Sequence, residues 1–206
     1  VYGDVAKLPV TEETPLSEAA SPYARTKQIG EQMICDIVPQ KAMKAAILRY
    51  FNPVGAHPSN EIGEKPFGTP QNLLPRIARS ALGILDTFKI AGTDYPTRDG
   101  TCIRDYIHVV DLAEAHVKAL QYAPTMKQRI DVFNVGTGNG NTVLEVLNAF
   151  EEANELKLNY RIGPRRPGDV EQIWADTKKV NTVLGWKAQY ALHDMMKHAW
   201  QWQQTL

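Results

Sequence analysis

The residues that first invite chemistry are Tyr23 and Lys27, four apart in the stretch SPYARTKQIGEQ. On a helix turning by about 100° per residue, Ile34, Ile37 and Val38 fall within about 60° of Tyr23. Lys27 lies about 40° from Tyr23 on that same apolar face, and Gly30 about 20° to its other side. An ammonium beside a phenol favours the phenolate form, so the pair has the makings of a proton-transfer centre. Gly30 would then leave room for a neighbouring element or ligand. The alternative is a tyrosine packed at a helix start beside a snorkelling lysine.

Three other groups could act on a ligand. Asn52 stands just past an apolar strand, at the carboxyl end where open α/β sheets place their ligands. It could equally be an asparagine that ends a strand before Pro53. Arg104-Asp105 reads as an ionic pair inside an otherwise apolar strand, either functional or a structural salt bridge. Arg165-Arg166-Pro167-Gly168-Asp169 is a short rigid loop with two guanidiniums, suited to gripping a diphosphate, though a solvated charge run has the same composition. The turn Gly136-Thr137-Gly138-Asn139-Gly140 mimics a dinucleotide fingerprint. Its glycines are spaced two apart, and no acidic residue ends a strand about 20 residues on, so it reads as a tight strand-to-helix turn. Cys35 and Cys102 form no paired-cysteine spacing, and His57, His108, His116, His193 and His198 no ligand spacing. No metal site is expected.

These groups need a scaffold, and the chain alternates strand and helix patterns. Ser21-Pro22 offers an N-cap and a first-turn proline for a helix running to about Val38. Lys44 to Asn52 is an apolar run of buried-strand length that Pro53 should end. Helices are expected over Gln71–Leu82, over Asp111–Tyr122 with Asp111 as cap, and from the Thr142/Glu145 capping box to about Asn154. Two more follow, one from a cap at Asp176 to Gly185 and one over Leu192–Gln204. Strands are expected at Phe88–Ala91, Thr101–Val110, Ile130–Val135 and Asn159–Ile162, with a turn at Asp99-Gly100. The class is α/β.

Composition sets outer bounds. Of 206 residues, 43% are hydrophobic and 22% charged, values of an ordinary globular chain that exclude disordered and collagen-like classes. Basic and acidic residues balance at a net charge of +0. That gives no global field for nucleic acid or an anionic membrane, and neither is expected as a partner. No apolar run approaches the roughly 20 residues of a membrane span. The first residues lack the features of a secretory signal. The two cysteines suit a reduced, cytoplasmic protein. The chain opens on Val1-Tyr2-Gly3 without a methionine, as though cut from something longer.

Together the stretches SPYARTKQIGEQ, ILRYFNPVGAHPS, NLLPRIA, AGTDYPTRDGTCIRDYIHVVDLAEAH, FNVGTGNG and RRPGDVEQIWAD resemble the extended short-chain dehydrogenase/reductase family. The likeness is strongest to its members that epimerise UDP-hexoses. The resemblance implies the C-terminal part of a doubly wound Rossmann-type sheet plus a smaller mixed α/β substrate domain. Residues 1–55 would end the NAD-binding domain, with a strand and helix near 101–135 returning to it, and residues 56–206 would mainly bind the nucleotide sugar. It also implies that UDP-glucose and UDP-galactose are interconverted by transient oxidation at sugar carbon 4 with bound NAD, in galactose metabolism. Tyr23 would be the catalytic base and Lys27 would bind the nicotinamide ribose, with Tyr50 and Phe51 beside the nicotinamide. Asn52, Asn72, Leu73, Arg104, Arg166 and Asp169 would hold the UDP-sugar, and Lys89, Ile90 and Ala91 would line the uridine side.

The family also has an N-terminal half with a glycine-rich NAD-binding loop and a serine or threonine that hydrogen-bonds the sugar. Neither is in this sequence, so a C-terminal portion with little or no epimerase activity by itself is expected. A homodimer through the Tyr23 helix is implied for the full-length enzyme. Ile173 matches a position limiting room for an N-acetyl group, which makes UDP-N-acetylglucosamine a possible second substrate. A dehydratase or decarboxylase of the same family, and a non-catalytic UDP-sugar-binding module, are the rival readings.

Overall fold

The computed structural model describes residues 1–85 and 87–206. Helix α1 (Pro22–Ile37) starts where Ser21 accepts a hydrogen bond from the Ala24 amide and Pro22 occupies the first turn. Strand β1 (Ala45–Tyr50) follows and pairs in parallel with β5 (Ile130–Val135), Ala45 opposite Ile130 and Tyr50 opposite Val135.

The expected strand Lys44–Asn52 is divided. The Phe51 amide still donates to the Val135 carbonyl at 3.1 Å. The chain then crosses, and β2 (Asn52–Val54) pairs in parallel with β4 (Ile103–His108). Pro53 does not end the strand. It lies in β2 at a sheet edge, where a missing N–H is tolerated.

β4 is the organising strand. It also pairs antiparallel with β6 (Gly140–Thr142) and, on the edge opposite β6, in parallel with the two-residue β8 (Gln172–Ile173). Neither short strand has an apolar run of its own, so neither was foreseen. Because side chains alternate along a strand, β4 serves two cores. Tyr106 enters a cluster with Leu74 and Ile77 of α2 (Leu73–Ala81), Phe88 and Ile90 of β3 (Phe88–Ala91), Phe150 of α4 (Val143–Asn154) and Met196 of α6 (Leu192–Gln203). Ile107 enters a second with Ala115 of α3 (Val109–Tyr122), Phe133, Val180 of α5 (Lys178–Val183) and Trp186. β3 pairs in parallel with β7 (Tyr160–Gly163). The α/β class stands.

Two caps differ from expectation. His108, not Asp111, caps α3, its ring nitrogen accepting from the Val110 amide at 3.1 Å. Asp111 sits buried in the first turn and accepts from the amides of Gln189 and Tyr190 at 3.0 and 3.1 Å, tying α3 to the segment before α6. Asp176 acts one residue outside its expected place. Thr177 is the N-cap residue of α5, and the Asp176 carboxylate accepts from the Lys178 amide. The capping box of Thr142 and Glu145 is present at the start of α4.

Candidate active site

Helix α1 presents Tyr23 to the outside, 71% exposed, with the Lys27 ammonium 5.3 Å from its ring centroid. The sequence pattern suggested an apolar face turned inward, yet α1 buries none of its residues, and Ile29, Met33, Ile34 and Ile37 stand exposed. A Cβ at Gly30 would meet nothing within 4 Å. Polar ties hold the helix instead. Arg49 of β1 forks onto the Glu31 carboxylate, its Nε donating at 3.0 Å, and a further N–H donates to the Tyr2 hydroxyl at 3.0 Å. The Gln28 amide donates to the carbonyls of Val1 and Ser17. Isolated short helices are marginal in water, so these ties set the orientation of the Tyr23–Lys27 pair.

Tyr50 ends β1, its ring tilted over His116 at 6.2 Å, and Phe51 follows half-buried at the crossing between sheets. Asn52, the next residue, faces a cleft of about 140 Å³. Asn72 and Leu73, at the start of α2, share that cleft with Tyr106, Glu64 and Trp202. Asn72 makes no capping bond and donates to the Glu64 carboxylate at 2.9 Å. Glu64 is in turn fixed by the Trp202 indole N–H, which donates to its carbonyl at 2.9 Å.

A guanidinium cluster forms farther along the same face of β4. Arg104 and Tyr106 are two apart on one strand, so they point the same way about 7 Å from each other. Arg104 approaches Asp169 at 3.8 Å, and Arg166 grips Asp169 bidentately at 2.6 and 3.1 Å. Ile173 lies opposite Arg104 in the β4–β8 ladder. Arg104 and Asp169 side chains are 16% and 15% exposed and Arg166 64%, so Arg166 stays open to solvent on its outer edge while paired with Asp169. On β3, Lys89 points outward and its aliphatic chain covers Gly163, where a Cβ would come within 1.9 Å of it. Ala91 is half-buried and Ile90 is 1% exposed in the core, which leaves Ile90 only its backbone to offer.

Two expectations change. Arg104 and Asp105 do not pair: as strand neighbours they point to opposite faces, and Arg104 turns to Asp169 and the Ile103 carbonyl. The two guanidiniums of the Arg165-Arg166 loop line one cleft but hold different partners. Arg165 stacks on the Tyr95 ring at 4.1 Å and donates to Asp94 at 2.8 Å, in space left by Gly92. Tyr106, Glu64 and Trp202 are among the cleft residues that escaped the sequence reading. Tyr106 could have been found, since it alternates with Arg104 on a strand. Its burial pushes the phenol well above its ordinary value, so it stays a hydroxyl donor. Glu64 and Trp202 come from a loop and the last helix, and no local pattern marks them.

A nicotinamide dinucleotide can be tested against these groups. On α1, Tyr23 and Lys27 offer a phenol beside an ammonium, and Tyr50 and Phe51 offer two rings at the carboxyl end of β1, group types that suit a nicotinamide ribose. The glycine turn at 136–138 does not suit its diphosphate, because the Thr137 and Gly138 amides already donate to the Asp105 carboxylate at 2.8 and 3.0 Å. The residues therefore fit one end of such a cofactor. Among the described residues no cluster of three or more His, Cys, Asp or Glu could hold a metal, and no helix is long and apolar enough to cross a membrane.

Comparison with known proteins places this geometry. Residues 1–199 match the family model described as GDP-mannose 4,6 dehydratase. A UDP-glucose 4-epimerase of Bacillus subtilis (strain 168) is 47% identical over 206 residues, covering 100% of this chain and 60% of the relative. A crystal structure of UDP-glucose-4-epimerase from Stenotrophomonas maltophila, with bound NAD and formylated UDP-arabinopyranose, superposes with a TM-score of 0.95 at 47% identity. It is covered over 61% of its length, and all of this chain is matched. The enzyme of Bifidobacterium longum in complex with NAD+ and UDP gives a TM-score of 0.94 at 45% identity, with 100% and 61% covered. The chain thus spans about 60% of the length of the relatives it matches.

Proposed function

Since the chain belongs to the family described as GDP-mannose 4,6 dehydratase, we propose from that premise that it supplies the tyrosine–lysine helix and the UDP-sugar site of an enzyme interconverting UDP-glucose and UDP-galactose. One observation carries the reading. A single face of β4 joins the polar cleft of Asn52, Asn72 and Tyr106 to the guanidiniums of Arg104 and Arg166. A sugar diphosphate has that sequence of needs: hydroxyl partners at one end and cations next to them. The relatives described above are named UDP-glucose 4-epimerases, which favours epimerisation over dehydration.

In this proposal Tyr23 takes the proton of the sugar's 4-hydroxyl and later returns it, while the Lys27 ammonium stabilises the phenolate and binds the ribose of the cofactor. Tyr50 and Phe51 flank the nicotinamide. NAD, when bound, supplies the acceptor and donor of hydride at sugar carbon 4. Asn52 and Asn72 orient the hexose, Arg104 and Arg166 hold the diphosphate with Asp169 fixing Arg166, and Lys89 to Ala91 border the uracil. Gripping the nucleotide and leaving the hexose loosely held lets the oxidised sugar turn its other face, so binding energy is concentrated on UDP. Residues 1–55 with the strand and helix near 101–135 make the cofactor side and residues 56–206 mainly the sugar-nucleotide side. Galactose metabolism, a cytoplasmic location and a homodimer through the exposed face of α1 belong to the same proposal.

Calorimetric titration of UDP and GDP into the chain tests it. UDP binds, GDP binds at least about tenfold more weakly, and Arg166→Ala weakens UDP about tenfold. Binding of GDP as tight as UDP would favour the dehydratase reading, and binding of neither would remove the sugar-nucleotide site.

A further inference from the structure

A buried carboxylate that the proposed reaction does not use lies behind the guanidinium cluster. Asp105 is 0% exposed and has no cation within ion-pair distance among the described residues. Its charge is met by four donors. One oxygen accepts from the Thr137 amide at 2.8 Å and the Thr137 hydroxyl at 2.7 Å. The other accepts from the amides of Gly138 at 3.0 Å and Ala175 at 3.2 Å. The glycine turn is shaped around this group: a Cβ on Gly136 would come within 2.5 Å of the carboxylate, and Gly138 holds φ +78. Backbone N–H groups converging in such a turn form an anion nest, and here the anion is the chain's own.

The fourth donor links this nest to the proposed nucleotide site. Ala175 ends the strip that begins at Asp169 and includes β8. That strip is held along β4 by the Ile103 amide donating to Glu171 and by Arg104 pairing with Ile173. Past Ala175 the Asp176 amide donates to the Val10 carbonyl at 2.7 Å. Val10 clamps the strip on both sides of Ala175, its amide donating to the Trp174 carbonyl at 3.0 Å, and the Asp105–Ala175 bond ties the same point to β4 through a side chain. At its other end the strip carries Asp169, the partner of both Arg166 and Arg104.

We propose that Asp105 is a positioning residue of the diphosphate subsite: by anchoring the glycine turn and Ala175 together, it places Asp169, and through it Arg166 and Arg104, for a nucleoside diphosphate. The proposal rests on the reading that these arginines grip the diphosphate. It assigns opposite duties to two adjacent residues of one strand, Arg104 facing the ligand and Asp105 holding the frame.

Asp105→Asn is the direct test. An amide keeps one acceptor but turns an N–H₂ toward amides that can only donate, so at least one tie is lost. Thr137→Val removes only the hydroxyl donor and serves if Asp105→Asn fails to fold. Two readouts are taken on each protein. The first is calorimetric binding of UDP and of uridine, which lacks the diphosphate. The second is the arginine side-chain Nε–H signals in ¹⁵N spectra of the ligand-free protein, with Arg129 as reference. The expected result is a loss of UDP affinity of about tenfold or more in Asp105→Asn and a smaller loss in Thr137→Val. Uridine affinity stays within about twofold, and the Arg166 and Arg104 signals broaden or shift while Arg129 does not. A folded Asp105→Asn, or in its absence Thr137→Val, with unchanged UDP affinity and unmoved arginine signals overturns the proposal. If the unaltered chain binds no UDP, the diphosphate reading falls, and the arginine signals alone decide whether Asp105 positions them.

Discussion

The buried imidazole of His108 should make this protein lose stability on mild acidification. The ring is 0% exposed, stacked on Tyr190 at 4.1 Å and pressed against Gly55, where a Cβ would come within 2.9 Å. Both nitrogens are committed in the neutral form. Nδ1 accepts from the Val110 amide as the cap of α3, and Nε2 lies 3.1 Å from Nδ1 of His198, to which it can donate. A second proton would have to sit on Nδ1, facing a donor. Burial, with the like charge of His198 second, pushes the pKa of His108 down from 6.5 to about 4, and Asp194 opposes this while His57 adds to it. Between those values the unfolded chain takes a proton that the folded one refuses. The stability tied to neutral His108 is therefore whole above about pH 6.5 and drains as pH falls toward about 4. At about 1.36 kcal/mol per pH unit, about 2 kcal/mol is gone by about pH 5.

His108→Asn isolates this effect, since asparagine can still cap the helix but does not titrate. Urea unfolding followed by tryptophan fluorescence gives the stability of both proteins across this range. The stability gap between wild type and His108→Asn should be constant above about pH 7 and shrink by about 2 kcal/mol by about pH 5. Parallel stability curves over that interval would refute the reasoning.

Other perturbations act on separate parts of the account. Glu31→Gln loosens the fork that Arg49 makes with α1, so amide hydrogen exchange through Pro22–Ile37 should quicken while α4 is unaffected. Thr142→Ala removes the acceptor for the Glu145 amide and the hydroxyl bonded to Asp99, and should cost about 1–2 kcal/mol in urea unfolding. UDP-N-acetylglucosamine should bind about as well as UDP-glucose, and Ile173→Tyr should weaken the N-acetyl sugar selectively in competitive titrations. Equal losses for both sugars would mean that Ile173 does not border the hexose.

Most elements were legible because their signals are local. Ser21-Pro22 and the Thr142/Glu145 box announce helices within four residues, and the apolar runs around Ile47 and Phe133 have strand length, although β1, expected to be buried, is only half-buried where β5 is largely buried. What escaped depends on distant partners. The crossing at Phe51 is decided by whether β5 or β4 takes the next hydrogen bond, and β6 and β8 exist only because β4 offers an edge. Helical spacing revealed that α1 has an apolar face, but not that the described residues leave that face uncovered. Asp111 is the better cap by residue type. It lost the role because its carboxylate is claimed by amides some 78 residues away, while His108 was already in place at the strand end.

The site was partly legible for the same reason. Asn52, Asn72, Arg104 and Arg166 were singled out by type or by resemblance, and the fold lines up the first two in one cleft and the others in one cluster. The opposite orientations of Arg104 and Asp105 follow from strand alternation and could have been read in advance. The turning of Arg165 toward Asp94 and Tyr95 could not, since it depends on the space at Gly92.

The central claim is that one face of β4 and its neighbours bind a UDP-sugar. Titrating UDP-galactose into ¹⁵N-labelled protein tests it most directly. The account predicts shifts concentrated at Asn52, Asn72, Leu73, Lys89 to Ala91, Arg104, Arg166, Asp169 and Ile173. Shifts confined elsewhere, or none at saturating sugar nucleotide, would contradict it.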